Sequence, residues 1–252
     1  MCTVSFIPRE RGFYLAMNRD EKRTRAIALP PVIIDLPTGR VRPSGGFATR
    51  RVILPREPTG GTWIAANDHG VCVVLINWYR IEREPPRSIV SRGEVVTALA
   101  GRSSIAEIAA GFSSLKLRRL RPFRFMAIVP SETILTEWRW NLDRLSARRL
   151  PWQPQHWFSS GFDERRAELT RRRVCSSDQD GHAASSLMWL RRLHRSHAPA
   201  RGPFSICMHR VDAATVSYTE VVVSGQRVQM RYKGGAACSS KSTVTKSLQI
   251  AL

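Results

Sequence analysis

The order of sequence patterns predicts an α+β domain. β-prone segments crowd the first 80 residues, apolar residues at helical spacing dominate the middle of the chain, and strand patterns return after residue 204. A regular βαβ alternation would interleave the two patterns; here they are segregated. Hydrophobic residues make up 42% of the 252, enough for a sizeable core and too many for a disordered chain. With no internal repeat and no linker, residues 1–238 read as one domain and 239–252, rich in Ser, Lys and Thr, as a frayed tail.

Cys2 to Ile7 alternates and is β-prone, Arg11-Gly12 is a turn, and Phe13 to Met17 returns as a strand ended by Asn18-Arg19-Asp20-Glu21. Residues 30–61, rich in Pro and Gly, read as irregular loops with short strands. Thr62 to Ala66 is a strand, Asn67-Asp68-His69-Gly70 a turn with Gly70 suited to positive φ, and Val71 to Ile76 a buried strand with Asn77 at its end. Helical spacing covers Ser88 to Leu99 and Ser103 to Ala110, with serines as N-caps. Arg124 to Val129 and Thr133 to Trp138 form a strand pair around Pro130-Ser131, and 151–161 a Trp-, Pro- and Ser-rich loop. Asp163 to Val174 and Ser185 to His194 are two further helices. Phe204 to His209, Ala214 to Val223 and Arg227 to Tyr232 read as a closing meander.

Composition narrows the function classes. No window approaches the ~18 apolar residues of a membrane span, and the first residues lack the charged leader and apolar core of a secretory signal, so a cytoplasmic protein is expected. Five cysteines, at wide spacing and with no CxxC, argue against a disulfide framework or a cysteine zinc site. The net charge of +20 invites nucleic acid as a partner. The arginines, however, are scattered, with short runs such as Arg171-Arg172-Arg173, and no aromatic–basic motif accompanies them. They read as a solvated surface, so nucleic acid is not expected as a partner; an anionic small substrate is the intermediate reading. His194 and His197, at i,i+3, have no Cys, Asp or Glu nearby in sequence and read as a solvated basic helix end, so neither metal nor cofactor is expected. His209 reads as a core or site-edge histidine and Cys207 as core.

One position carries chemistry. A small residue after Met1 normally allows its removal, which would place the α-amino group on Cys2 itself. The thiol needs a base, and an α-amine of pKa ~7.7–8.0 is close to working pH. A hairpin from residue 2 would return Asn18-Arg19-Asp20-Glu21 beside Cys2, where a cation stabilises a thiolate and a carboxylate holds the amine. Asn77, at the end of an apolar strand, could donate its NH₂ to a developing oxyanion.

Together these segments resemble the NRDE family, which includes the transport-and-Golgi-organisation proteins. The matching residues are Met1-Cys2, Asn18-Arg19-Asp20-Glu21, Gly60-Gly61-Thr62-Trp63, Asn67-Asp68-His69-Gly70, Leu75-Ile76-Asn77 and Ser91-Arg92-Gly93-Glu94, with Ala214 to Glu220 similar to the family's closing strands. The family is similar in turn to bile-salt and penicillin-V acylases of the N-terminal-nucleophile class. That resemblance implies a four-layer αββα sandwich. It also implies Cys2 as nucleophile and base, Arg19 and Asp20 as its support, Asn77 as an oxyanion donor, and Asn18, Trp63, Asn67 and Ser160 around the substrate. The acylases carry a second Asn in mid-chain; the comparable stretch here, Trp157 to Asp163, offers serines instead. The implied activity is hydrolysis of a linear non-peptide amide through a thioester at Cys2, with a small amide or acyl compound as partner. The alternative is a non-catalytic carrier for an acyl thioester, lipid or haem-like ligand.

Overall fold

In the computed structural model, which describes residues 2–85, 89–177 and 185–251, thirteen strands form two antiparallel sheets. β1 (Cys2–Arg9) and β2 (Gly12–Lys22) make a hairpin whose tight turn requires glycine. Gly12 has φ +116°, and a Cβ there would lie 2.1 Å from the Val223 carbonyl oxygen. The hairpin register sets Cys2 opposite Arg19 and Thr3 opposite Asn18. β10 (Gln155–Ser159) flanks β1 on its other side, while β11 (Ala213–Val223), β12 (Arg227–Lys233) and β13 (Thr243–Gln249) extend the sheet beyond β2.

The second sheet runs in order from β3 (Leu29–Val41) and β4 (Phe47–Arg56) through β5 (Ile64–Asn67), β6 (Cys72–Asn77), β7 (Phe123–Val129) and β8 (Ile134–Trp140) to β9 (Leu145–Leu150). Side chains of period two from both sheets share one apolar core: Val4, Phe6 and Leu15 from the first meet Ile64, Val74 and Met126 from the second. α1 (Gly93–Leu99) and α2 (Ile105–Gly111) cover the other face of the seven-stranded sheet through Val96, Leu99 and Ile108. α3 (Glu164–Ser177) and α4 (Leu187–Arg195) cover the six-stranded sheet through Cys175, Trp189 and Leu193. No helix among the described residues is long and apolar enough to cross a membrane.

Several expectations change. Residues 29–56 form two long paired strands rather than loops. The prolines of β3 are tolerated because it is an edge strand and its register against β4 shifts beside them, between Leu29 and Val32 and again after Pro37. Within the expected 151–161 loop lies β10, whose Trp157 is buried in the intersheet core. The expected frayed tail contains β13, which pairs with β12 and buries Leu248. Phe204 to His209 forms no strand; it meets the sheet only at a bridge between His209 and Ala214. The helix expected from Ser88 begins at Gly93; Ser88 itself, like Met1, lies outside the described residues. Serine does cap α2, at Ser104, one residue after the expected start, and Ser186 caps α4 as well.

Candidate active site

Cys2 opens β1 between Arg19 of β2 and Ser159 of β10. Strand alternation turns its side chain toward the second sheet, and it is only 6% exposed. It lies on the wall of a cavity of about 290 Å³, together with Arg19, Trp63, Asn77 and residues Ser91 to Gly93. Gly93 permits this closure: a Cβ on it would lie 2.9 Å from the Thr62 nitrogen, so the start of α1 packs directly on the Gly61–Thr62 backbone.

Arg19 is held on three sides. It ion-pairs with Glu57 and, at 3.3 Å, with Glu21, and its guanidinium stacks 4.3 Å from the Trp63 ring centroid. Arg25 joins the same carboxylates at 3.4 and 3.7 Å. The Asn77 amide donates to the Tyr79 hydroxyl at 2.7 Å. The carboxylate of Glu164 accepts the backbone N–H groups of Tyr79, at 3.3 Å, and Arg80, at 2.8 Å, and so pins the turn after β6 to α3.

Asp20 points through the sheet to the opposite face. It is fully buried, accepts from Thr215 Oγ1 at 2.6 Å and pairs with the equally buried Arg171 at 3.3 Å. A β-bulge between Thr215 and Ser217 breaks the regular register of β11 against β2 at this point, next to the Asp20–Thr215 pair. Arg171 also donates to Thr3 Oγ1 at 2.9 Å and lies 3.4 Å from the Cys2 carbonyl oxygen, so it anchors the backbone of the first strand residues. Arg171 was hidden in a basic run. Its signal is its spacing: Ala167, Arg171 and Cys175 form one helix stripe, and a cation on an apolar stripe requires a buried anion.

Burial pushes the Cys2 thiol above its ordinary pKa, while the positive amino terminus and Arg19 act against it. Burial likewise raises the Asp20 carboxyl despite Arg171 and the amino terminus. The thiol therefore needs a base beside it to react as thiolate.

The structure brings together Cys2, Arg19, Trp63 and Asn77, with Asp20 behind them. Three other sequence candidates are placed apart from this cavity. Asn18 faces α4 and donates to the carbonyls of His194 and Ile206, both at 2.9 Å. Asn67 spends its amide on the carbonyls of Ala100 and Arg102, and its oxygen on the N–H groups of His69 and Val71, so it builds its own turn. Ser160 lines a neighbouring cavity with Tyr79 and Glu164, and its Oγ accepts from the Phe162 N–H at 3.3 Å; its neighbour Ser159 is the one paired with Cys2.

Arg92 escaped the sequence reading of the site. It lines the cavity, has no carboxylate partner among the described residues, and donates to the Pro122 carbonyl at 3.1 Å; burial lowers its pKa. His194 departs from expectation too: it is fully buried, with Nε2 2.9 Å from Ser5 Oγ, rather than solvated.

Two facing sheets flanked by helices, with a cysteine opening an inner strand at the cleft, define the N-terminal-nucleophile hydrolase type of fold. Solved structures agree. Penicillin V acylase from Agrobacterium tumefaciens superposes with a TM-score of 0.53 at 9% identity, over 97% of this chain and 85% of that one. A C2A mutant of the conjugated bile acid hydrolase from Clostridium perfringens gives 0.56 at 9%, over 98% and 92%. A second variant of that hydrolase gives 0.55 at 8%, over 100% and 98%. The chain belongs to the Transport and Golgi organisation 2 family, whose model matches residues 1–160. No curated protein sequence matches it.

Proposed function

We propose that the protein is a cysteine-dependent amidohydrolase of the four-layer αββα type, cleaving a linear non-peptide amide through a thioester at Cys2. The observation that carries the reading is the presence of Cys2, Arg19, Trp63 and Asn77 on one cavity wall. Once Met1 is removed, the α-amine of Cys2 accepts the thiol proton as Sγ bonds to the amide carbon. Asn77 donates to the oxygen as negative charge develops on it. Asp20, fixed by Arg171 and Thr215, holds the amine, and Arg19 favours the thiolate. The amine then passes its proton to the leaving nitrogen, the C–N bond breaks, and water hydrolyses the thioester to a carboxylic acid and free Cys2. Arg92, a cation at the cavity without a carboxylate partner among the described residues, favours a substrate that carries an anionic group. The acylases among the structural neighbours support a small-molecule substrate.

The serines in place of a mid-chain Asn favour a second reading, a carrier that holds an acyl ligand in the same cavity without turnover. Intact-mass measurement with a thiol-reactive amide or β-lactam probe separates the two. The hydrolase reading expects a protein without Met1 that forms a covalent adduct, lost in Cys2→Ala. An active protein retaining Met1, or an adduct formed equally by Cys2→Ala, refutes it.

A further inference from the structure

Behind the six-stranded sheet, away from Cys2, four side chains from three separate segments meet. His197 follows α4, Cys207 and His209 lie on the irregular stretch before β11, and Cys238 follows β12; their ligand atoms all fall within 4.8 Å of one another. His197 Nε2 is 3.1 Å from His209 Nε2, and that nitrogen is 3.6 Å from Cys207 Sγ and 3.5 Å from Cys238 Sγ. A tetrahedral zinc ion, with Zn–N ~2.0–2.1 Å and Zn–S ~2.3 Å, would set its ligands about 3.3 Å apart for N···N and about 3.6 Å for N···S. All three distances lie near those edges. We propose that these four residues form a Cys₂His₂ site for a thiophilic divalent cation, zinc above all.

The chemistry of the donor set selects the ion. Two sulfurs and two imidazoles suit zinc and exclude the oxygen-preferring magnesium and calcium. Binding releases both thiol protons, so two thiolates and one dication leave the site neutral. Four protein ligands leave no open position, which makes the site structural rather than catalytic. The surroundings are built to hold the ligands. Lys233 Nζ donates to the Ser239 carbonyl at 2.7 Å and fixes the turn that carries Cys238, and the His209 N–H donates to the Gly202 carbonyl at 3.1 Å. His209 and Arg201 line a surface cavity of about 410 Å³, which gives the ion a path in. Ligation through Nε2 puts the ring proton on His209 Nδ1, so Arg201, 3.4 Å from that nitrogen, turns aside as the ion enters.

The site also has a reason to exist. The 196–212 stretch has no helix or strand, yet it buries Ile206, Cys207 and Met208 completely. A cation ties the start of this stretch, at His197, to its later part, at Cys207 and His209, and both to the turn after β12. The effect reaches Asp20: the Met208 N–H donates to Thr215 Oγ1 at 2.8 Å, and that hydroxyl donates to Asp20.

The test uses the full chain, without a histidine tag and with thiols reduced, in the parental and Cys2→Ala forms. Expected are one zinc per chain by mass spectrometry in both forms and, after chelation and cobalt(II) addition, the visible bands of a tetrahedral ion with thiolate charge-transfer bands in the near ultraviolet. Cys207→Ser and Cys238→Ser should each weaken those ultraviolet bands, and a chelator should lower Tm in the parental protein but not in a folded Cys238→Ser. Because the parental spectrum requires no variant, failure of a variant to fold does not blunt the test. Absence of thiolate–cobalt bands in the parental protein, loss of the bands in Cys2→Ala alone, or a Cys207–Cys238 disulfide in protein isolated under reducing conditions overturns the proposal. The Cys2→Ala form keeps this outcome separate from that of the hydrolase reading.

Discussion

Replacing Arg171 by methionine tests how the first strand is held. Arg171 and Asp20 are both fully buried and 3.3 Å apart, so solvent screens neither. Desolvation of two buried charges offsets much of their attraction, so such a pair is often no net gain over apolar substitutes. Breaking it is a different matter. Arg171→Met leaves the buried Asp20 carboxylate without its guanidinium and also removes the donor to Thr3. The expected loss is about 3–5 kcal/mol. With an m-value of ~3 kcal/mol/M, the urea midpoint falls by roughly 1 M or more. Asp20→Leu alone strands the guanidinium and should lose a similar amount, whereas the double variant should lose less than the sum of the singles, by about 1–3 kcal/mol. Urea unfolding followed by tryptophan fluorescence reads all four corners of the cycle. A single-variant loss below ~1 kcal/mol, or strict additivity, would show that the pair does not anchor β1.

The remaining predictions concern the cavity and its supports. Asn77→Ala should reduce turnover of any substrate found by ~10²–10³, whereas Ser160→Ala, in the neighbouring cavity, should leave the rate unchanged; equal losses in both would place Ser160 in the oxyanion site. Ser159 Oγ is buried with no partner among the described residues, so Ser159→Ala should raise stability by about 1 kcal/mol, and a clear loss in urea melts would reveal a missed partner. Burial holds the imidazoles of His194 and His156 at about 3 and about 4, against 6.5 for a free histidine, with Ser5 Oγ between them at 2.9 and 2.8 Å. Their folded pKa values are depressed, so the unfolded chain binds more protons below pH 6.5. Stability is then full above that pH and falls as pH drops toward 4, by about 1.4 kcal/mol per pH unit for each histidine. His194→Gln should flatten this limb, and parallel profiles for the two proteins would remove His194 as its source.

Much of this was legible in the chain itself. Period-two alternation from Cys2 and the turn at Arg11-Gly12 require a hairpin, and a hairpin from residue 2 requires that Arg19 return beside Cys2. The ordered run of short motifs pointed to the family that the family model matches. Strand breakers hide the strands within 29–56 and 151–161, because β3 and β10 are sheet edges, which the sequence does not mark. Which face a polar residue serves was equally hidden. Asn18 and Arg19 are neighbours in one motif, yet alternation sends one to α4 and the other to the cavity. Tertiary structure alone joined Asp20 to Arg171, 151 residues away, and gathered two histidines and two cysteines whose sequence spacing suggested no metal. The reason is physical: local propensity and periodicity act over a few residues, whereas a buried charge or a ligand set is completed by whatever distant segment the packing of sheet and helix brings alongside.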